Sequence, residues 1–136
     1  MIRRVFLAIL VFGVTACGDD GTGLQAIIGT YTLQSIDGEG LPAVVSVMGG
    51  PVLVEVTAGS LLLNEGTTCT SSFTTTTELE DGTETTVVDA GVCTYTFNNG
   101  ALSLNFPDGS TSTTSGSISG STLTVTLGGT VFVFVK

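Results

Sequence analysis

Histidine and tryptophan are absent from this chain, and basic residues are scarce. Arg3, Arg4 and Lys136 stand against 12 acidic side chains, for a net charge of −9. Each shortage removes a class of function. Without histidine, the commonest general base, metal ligand and activator of a serine or cysteine nucleophile is missing. Without clustered Lys and Arg nothing neutralises a phosphate backbone, which excludes nucleic acid as a partner. Attraction to anionic lipid headgroups is not expected either. The acids near candidate turns form two groups, Asp37 with Glu39, and Glu78, Glu80 and Asp81 with Glu84. Both lie beside glycine, where carboxylates are ordinarily solvated. The alternatives are a cation site in one group, or distant carboxylates such as Asp37 and Asp108 meeting in a concave pocket. No catalytic residue, cofactor or metal is expected, and the chain reads as a non-enzyme.

The N-terminal segment has its own logic. Arg3 and Arg4 precede an apolar run from Val5 to Val14, followed by small residues. That layout is a secretory signal peptide; the run falls short of the roughly 20 residues that span a bilayer. Its last residues, Val14-Thr15-Ala16-Cys17, match position by position the aliphatic, small, small, Cys box of bacterial lipoproteins. The resemblance implies cleavage before Cys17, diacylation of its sulfur by chains such as palmitate, and acylation of its new amine. The alternative is an ordinary signal peptide whose Cys17 pairs elsewhere. Residues 1–16 are then the signal, and residues 17–28 a lipidated, flexible tether that ends in Leu24, Ile27 and Ile28 packing onto the domain. Gly18, rather than Asp, follows the lipidated cysteine, which by the sorting pattern of lipoproteins favours the outer membrane of the cell envelope. Membrane contact is expected through lipid on Cys17 alone.

No stretch after Gly29 keeps a helical period. Short alternating runs of Thr, Val, Leu and aromatics, punctuated by glycine, predict an all-β domain over 29–136. Turn length sets strand register, so the turns can be tested against the faces they produce. Ala58-Gly59 as a two-residue turn opposes Val56 to Leu61 and Val54 to Leu63. Asn64-Glu65-Gly66 as a three-residue loop opposes Leu63 to Thr67 and Leu61 to Cys69. Glu80-Asp81-Gly82 opposes Leu79 to Thr83, Thr75 to Val87 and Cys69 to Cys93. Asn99-Gly100 opposes Phe97 to Leu102, Tyr95 to Leu104 and Cys93 to Phe106. Pro107-Asp108-Gly109 opposes Leu104 to Ser112 and Leu102 to Thr114. Gly120-Ser121 opposes Ile118 to Leu123 and Gly116 to Val125, and Gly128-Gly129 opposes Val125 to Phe132 and Leu123 to Phe134. These registers keep the large apolar residues on one face.

Nothing about cysteine chose the register that sets Cys69 against Cys93. In an exported protein such a pair should oxidise; two buried thiols are the alternative. Two thiolates without histidine cannot complete a zinc shell.

The apolar last strand, Val131 to Val135, would be an aggregation-prone edge if left unpaired. Pairing it with Gly29 to Ile36 closes an up-and-down antiparallel barrel of eight or nine strands. Asp37 to Pro51 reads as a long loop or flap over one mouth, with a short helix or an extra strand as alternatives. Leu53, Leu62, Val88, Val131, Val133 and Val135 fall on the outer face, and Leu24–Ile28 or Ala43–Met48 is expected to cover the valine row.

A lipoprotein box, an opening Gly29-Thr30-Tyr31-Thr32-Leu33-Gln34-Ser35 strand, Gly40-Leu41-Pro42, and Thr-rich hairpins ending in an aromatic strand together resemble the small bacterial lipocalin-like lipoproteins. The resemblance implies a small barrel that binds a hydrophobic ligand or only packs its own side chains. The chain lacks the Gly-x-Trp of true lipocalins. Tyr31, Leu33, Phe73, Tyr95, Phe97, Leu102, Leu104, Phe106, Phe132 and Phe134 are the expected core or ligand-lining residues. A filled interior is expected, with a small ligand as the alternative. The expected function is a lipid-anchored, non-catalytic envelope barrel, structural or binding a small apolar ligand. The alternative is a module that binds an envelope protein, or inhibits a protease by inserting a loop or the 18–28 segment.

Overall fold

Thr, Val and aromatic side chains favour extended backbone, and glycines at positive φ close the turns between the runs they form. The computed structural model describes residues 23–46, 53–107 and 114–136. They form one helical turn, α1 (Leu24–Ile27), and strands β1 (Gly29–Ile36), β2 (Glu39–Gly40), β3 (Ala43–Ser46), β4 (Leu53–Leu63), β5 (Thr68–Glu78), β6 (Glu84–Asn98), β7 (Ala101–Asn105), β8 (Thr114–Ser119), β9 (Thr122–Leu127) and β10 (Thr130–Val135). The segment expected as a signal, 1–16, and Cys17 lie outside the described residues. One antiparallel sheet runs β2-β1-β10-β9-β8-β7-β6-β5-β4-β3, and β1 also pairs with β4. That pairing closes β1 and β4 to β10 into an eight-stranded barrel, with β2 and β3 as additions.

The two halves of β1 divide the work of closure. Gly29 to Thr32 pair with Leu63 to Ser60 of β4, and Thr32 to Ile36 pair with Val135 to Phe132 of β10. Beyond Thr32, β1 and β4 part. There β2 pairs with the end of β1, and β3 with the first half of β4. The β1–β2 turn is Asp37-Gly38, both at positive φ (51° and 84°), the geometry of a tight two-residue hairpin. Asp37 ties this turn to β10. Its carboxylate accepts the Val131 N–H at 2.7 Å, and its own N–H donates to the Val131 carbonyl at 2.7 Å. The segment expected as a loop over 37–51 therefore begins as paired strand; its residues 47–51 lie outside the described ones.

Four of the seven expected registers hold without change: those across Glu80–Gly82, Asn99-Gly100, Gly120-Ser121 and Gly128-Gly129. Cys69 faces Cys93 with their Cα atoms 4.8 Å apart, and the two are joined as a disulfide. Two registers are displaced by two residues. Leu63 faces Cys69 rather than Thr67, because Thr67 as well as Gly66 takes positive φ (66° and 77°) and the loop is longer. Leu104 faces Thr114 rather than Ser112; the expected Asp108-Gly109 turn lies outside the described residues. A two-residue shift preserves which face each side chain takes.

The seventh turn is absent. Ala58-Gly59 lies inside β4, which is continuous across it, with a bulge between Val56 and Ala58. A bulge and a two-residue turn have the same effect on faces: each lets even-numbered Val56 and odd-numbered Leu61 point the same way. Gly59 serves a close approach instead. A Cβ there would lie 2.9 Å from both Leu33 Cδ2 and Phe73 Cδ1. A second bulge, between Leu33 and Ser35, likewise turns Ile36 inward after Tyr31 and Leu33.

β10 is paired on both sides, and Val131, Val133 and Val135 on it are half-buried. Ile27 and Ala43 join the buried core cluster, while Leu24, Val44 and Val45 remain exposed. The segments expected to cover the valine row thus send their buried residues to the core.

Candidate ligand cavity at one end of the barrel

The pairing pattern gives the barrel two unlike ends. At one end lie the start of β1, the turns at Glu65–Thr67, Asn99-Gly100 and Gly120-Ser121, and Lys136. This end is plugged. Tyr31, fully buried, donates its hydroxyl to the Ile27 carbonyl at 2.8 Å and so fixes α1 over the mouth. Lys136 donates to the carbonyls of Ala26 (3.1 Å) and Ile28, and its Nζ sits 5.7 Å from the centre of the Tyr31 ring. Gly29 leaves room for that lysine, since a Cβ would come within 2.9 Å of Lys136 Cε. Tyr95 donates its hydroxyl to the Asn64 carbonyl at 2.8 Å and ties the neighbouring loop in place. Burial holds both phenols neutral and raises their pKa values, and for Tyr31 the nearby Tyr95 adds to the rise.

The other end carries the turns at Asp37-Gly38, Glu80–Gly82 and Gly128-Gly129. There the interior is not filled. A cavity of about 250 Å³ opens among buried Val56, Leu61, Ser71, Leu104, Thr114, Val125 and Phe134. Half-buried Phe73, Phe106 and Phe132 and exposed Val45 and Leu127 form its rim. Phe73 meets Phe132 and Phe134 edge to face, with ring centres 5.9 and 6.3 Å apart. No lining residue carries a charge or titrates.

The expected interior residues divide between these environments. Phe73, Leu104, Phe106, Phe132 and Phe134 line the cavity. Tyr31, Leu33, Tyr95 and Leu102 are buried in the core away from it, and Phe97 packs partly buried against that core. The wall also uses Val56, Leu61, Val125, Ser71 and Thr114, which the list of interior residues omitted. Val56 had a signal, since its alternation with Val54 resumes in Leu61 and Leu63 once a bulge is allowed at Thr57.

The acidic groups are spread through turns and strand ends. Glu78 and Glu84 face each other as the last pair of the β5–β6 hairpin, both exposed. Asp81 accepts the Thr83 N–H at 2.9 Å inside the turn, and that hydrogen bonding holds its carboxyl below the usual value. Asp37 is occupied by Val131, as above. Among the described residues, no three His, Cys, Asp or Glu side chains gather as a metal site.

In comparisons with families of known proteins, with curated proteins and with solved structures, nothing matches this chain. Any functional reading rests on the cavity and on the sequence.

Proposed function

We propose that this protein is an exported, lipid-anchored, non-catalytic barrel of the bacterial cell envelope, similar to lipocalin-like lipoproteins, that binds a small apolar molecule at its unplugged end. One observation carries the binding part: an uncharged cavity of about 250 Å³, rimmed by Phe73, Phe106 and Phe132, stands open opposite a plugged mouth. Ligand sites are commonly concave and mostly apolar, and the mouths of β-barrels are among their usual places. An eight-stranded barrel is just wide enough to hold one small ligand. The cavity lies below the usual range for drug-sized ligands, about 300–1,000 Å³, so a small guest is required.

The anchoring part rests on Val14-Thr15-Ala16-Cys17. Two or more acyl chains on Cys17 hold a protein stably on a membrane, where one would bind marginally. The outer membrane is the favoured location. An inhibitor that works by a free N-terminal arm is disfavoured, because the end of that arm is docked through Ile27 and Lys136.

Titration with naphthalene, followed by its fluorescence, tests the binding. Saturable binding that Leu104→Trp abolishes supports it, and partitioning without saturation refutes it. Mass spectrometry of the N-terminal peptide tests the anchor, which an unmodified Cys17 would rule out.

A further inference from the structure

The cavity offers a guest an apolar surface throughout, yet its surroundings are not neutral. A second hollow, of about 390 Å³, shares Ser71, Phe73, Phe106 and Leu127 with it and adds Asp89, Ala90 and Gly91 of β6. Strand register fixes which way Asp89 points. It lies directly opposite Phe73, as Gly91 lies opposite Ser71 and Cys93 opposite Cys69. Residues opposite one another across an antiparallel pair share a face, so Asp89 stands on the inward one. The other charged residues of the eight barrel strands are Glu55, Glu78 and Glu84. All three fall on the outward face: Glu78 opposes Glu84, and Glu55 opposes Thr76, out of step with Phe73 and Thr75.

Aspartate is disfavoured in strands, and a charge turned inward breaks the pattern that the rest of the barrel keeps. Local departures of that kind are expected at functional sites. The chain has little with which to answer this charge. Past the N-terminal Arg3 and Arg4 the sequence holds one basic residue, Lys136, and its ammonium is bound to the carbonyls of Ala26 and Ile28 at the plugged end.

We infer that the ligand is a small cationic amphiphile: its hydrocarbon part fills the apolar cavity, and its ammonium group sits in the adjoining hollow against the Asp89 carboxylate. This deepens the reading of the cavity as a ligand site and rests on it. Phe73 and Phe106 border both hollows, and ring faces near an ammonium add cation–π attraction. Asp89 is exposed, so an ammonium beside it keeps its access to water and no charge is buried. The same exposure makes the ion pair a modest, salt-screened one. Anionic amphiphiles, ionised fatty acids among them, would bring like charge to Asp89 and are disfavoured.

The test titrates the full chain with 2-(1-naphthyl)ethylamine, 2-(1-naphthyl)ethanol and 1-naphthylacetate at neutral pH and fixed ionic strength, following naphthyl fluorescence. The amine, charged at that pH, should bind about fivefold tighter than the alcohol, the size of an exposed ion pair, and the carboxylate weaker than the alcohol. Asp89→Asn should remove the amine's advantage and leave the alcohol unchanged, and Asp89→Lys should reverse the order of amine and carboxylate. Glu84→Gln removes a charge of the same sign from the outward face and should alter none of the three. A loss there equal to that in Asp89→Asn would assign the preference to the overall negative charge and overturn the site. An amine that binds no tighter than the alcohol, or keeps its advantage in Asp89→Asn, would overturn the ammonium site while leaving an apolar cavity standing. Saturable binding by none of the three would overturn the cavity site itself, and this inference with it.

Discussion

The two ends of the barrel are built from the same strands yet do opposite things. At the plugged end every polar group named is engaged: Tyr31 with Ile27, Tyr95 with Asn64, and Lys136 with Ala26 and Ile28. At the other end Thr114 is buried with its hydroxyl unpartnered, and beside it lies space that no side chain fills. Filling stabilises a barrel, because close packing and satisfied hydrogen bonds both favour the native state. A hollow end gives up that stabilisation. The contrast sets a filled, hydrogen-bonded mouth against the mouth proposed to bind, and substitutions at each should separate along that line.

The largest effect should come from Tyr31→Ala, which empties the plug. Truncating a buried aromatic costs about 3–5 kcal/mol, and urea denaturation should show a loss of that order with α1 released. Next comes the disulfide. Replacing Cys69 and Cys93 together by serine removes a covalent link across residues 24 apart in sequence, worth about 3.5 kcal/mol on the loop-entropy estimate. Thermal melts with and without reductant should reproduce that loss in the parent and show none in the variant. Gly59→Ala follows. Its Cβ would press on Leu33 and Phe73, and overpacking of this kind costs about 1–3 kcal/mol; because Phe73 rims the cavity, apolar binding should weaken as well.

Thr114→Val should move stability the other way, by about 1 kcal/mol upward, because it removes a buried unpartnered hydroxyl. A loss of stability there would mean that the hydroxyl is part of the scaffold.

The smallest effect is one of pH, and it belongs to the plugged end. Tyr31 and Tyr95 have native pKa values raised above their ordinary 10.0 by burial. Below about pH 10 both phenols are neutral, folded or unfolded, and their contribution is complete. As pH rises from there through the native values, the unfolded chain ionises first and stability falls. Tyr31→Phe should lessen that fall, whereas Thr114→Val should leave it unchanged.

Much of this contrast could be read from the residues, and the part that could not has definite causes. Turn chemistry at Asp81-Gly82, Asn99-Gly100, Gly120 and Gly128-Gly129 sets register locally, so the Cys69–Cys93 pair followed from it, while closure followed from the apolar Val131–Val135 strand, which needed Gly29–Ile36 as a partner. Loops whose length depends on a non-glycine residue at positive φ, as at Thr67, gave registers two residues short. Ala58-Gly59 misled because a bulge at Thr57 gives the same face assignment as a turn. Asp37-Gly38 carries a strong hairpin signal that the long reading of 37–51 passed over.

The cavity was harder still to foresee. It depends on which mouth α1 fills and on how the bulge brings Val56 into the wall. The register placed Thr114 on the inward face opposite Leu102, and the two-residue shift that sets it opposite Leu104 keeps it there.

Xenon bound under pressure to crystals of the protein tests the difference between the ends most directly, because dry apolar cavities take up xenon. The structure predicts a xenon site bordered by Leu61, Leu104 and Phe134 and none beside Tyr31. Absence of xenon at the first position, or equal occupancy beside Tyr31, would contradict the assignment of a hollow binding end and a filled structural one.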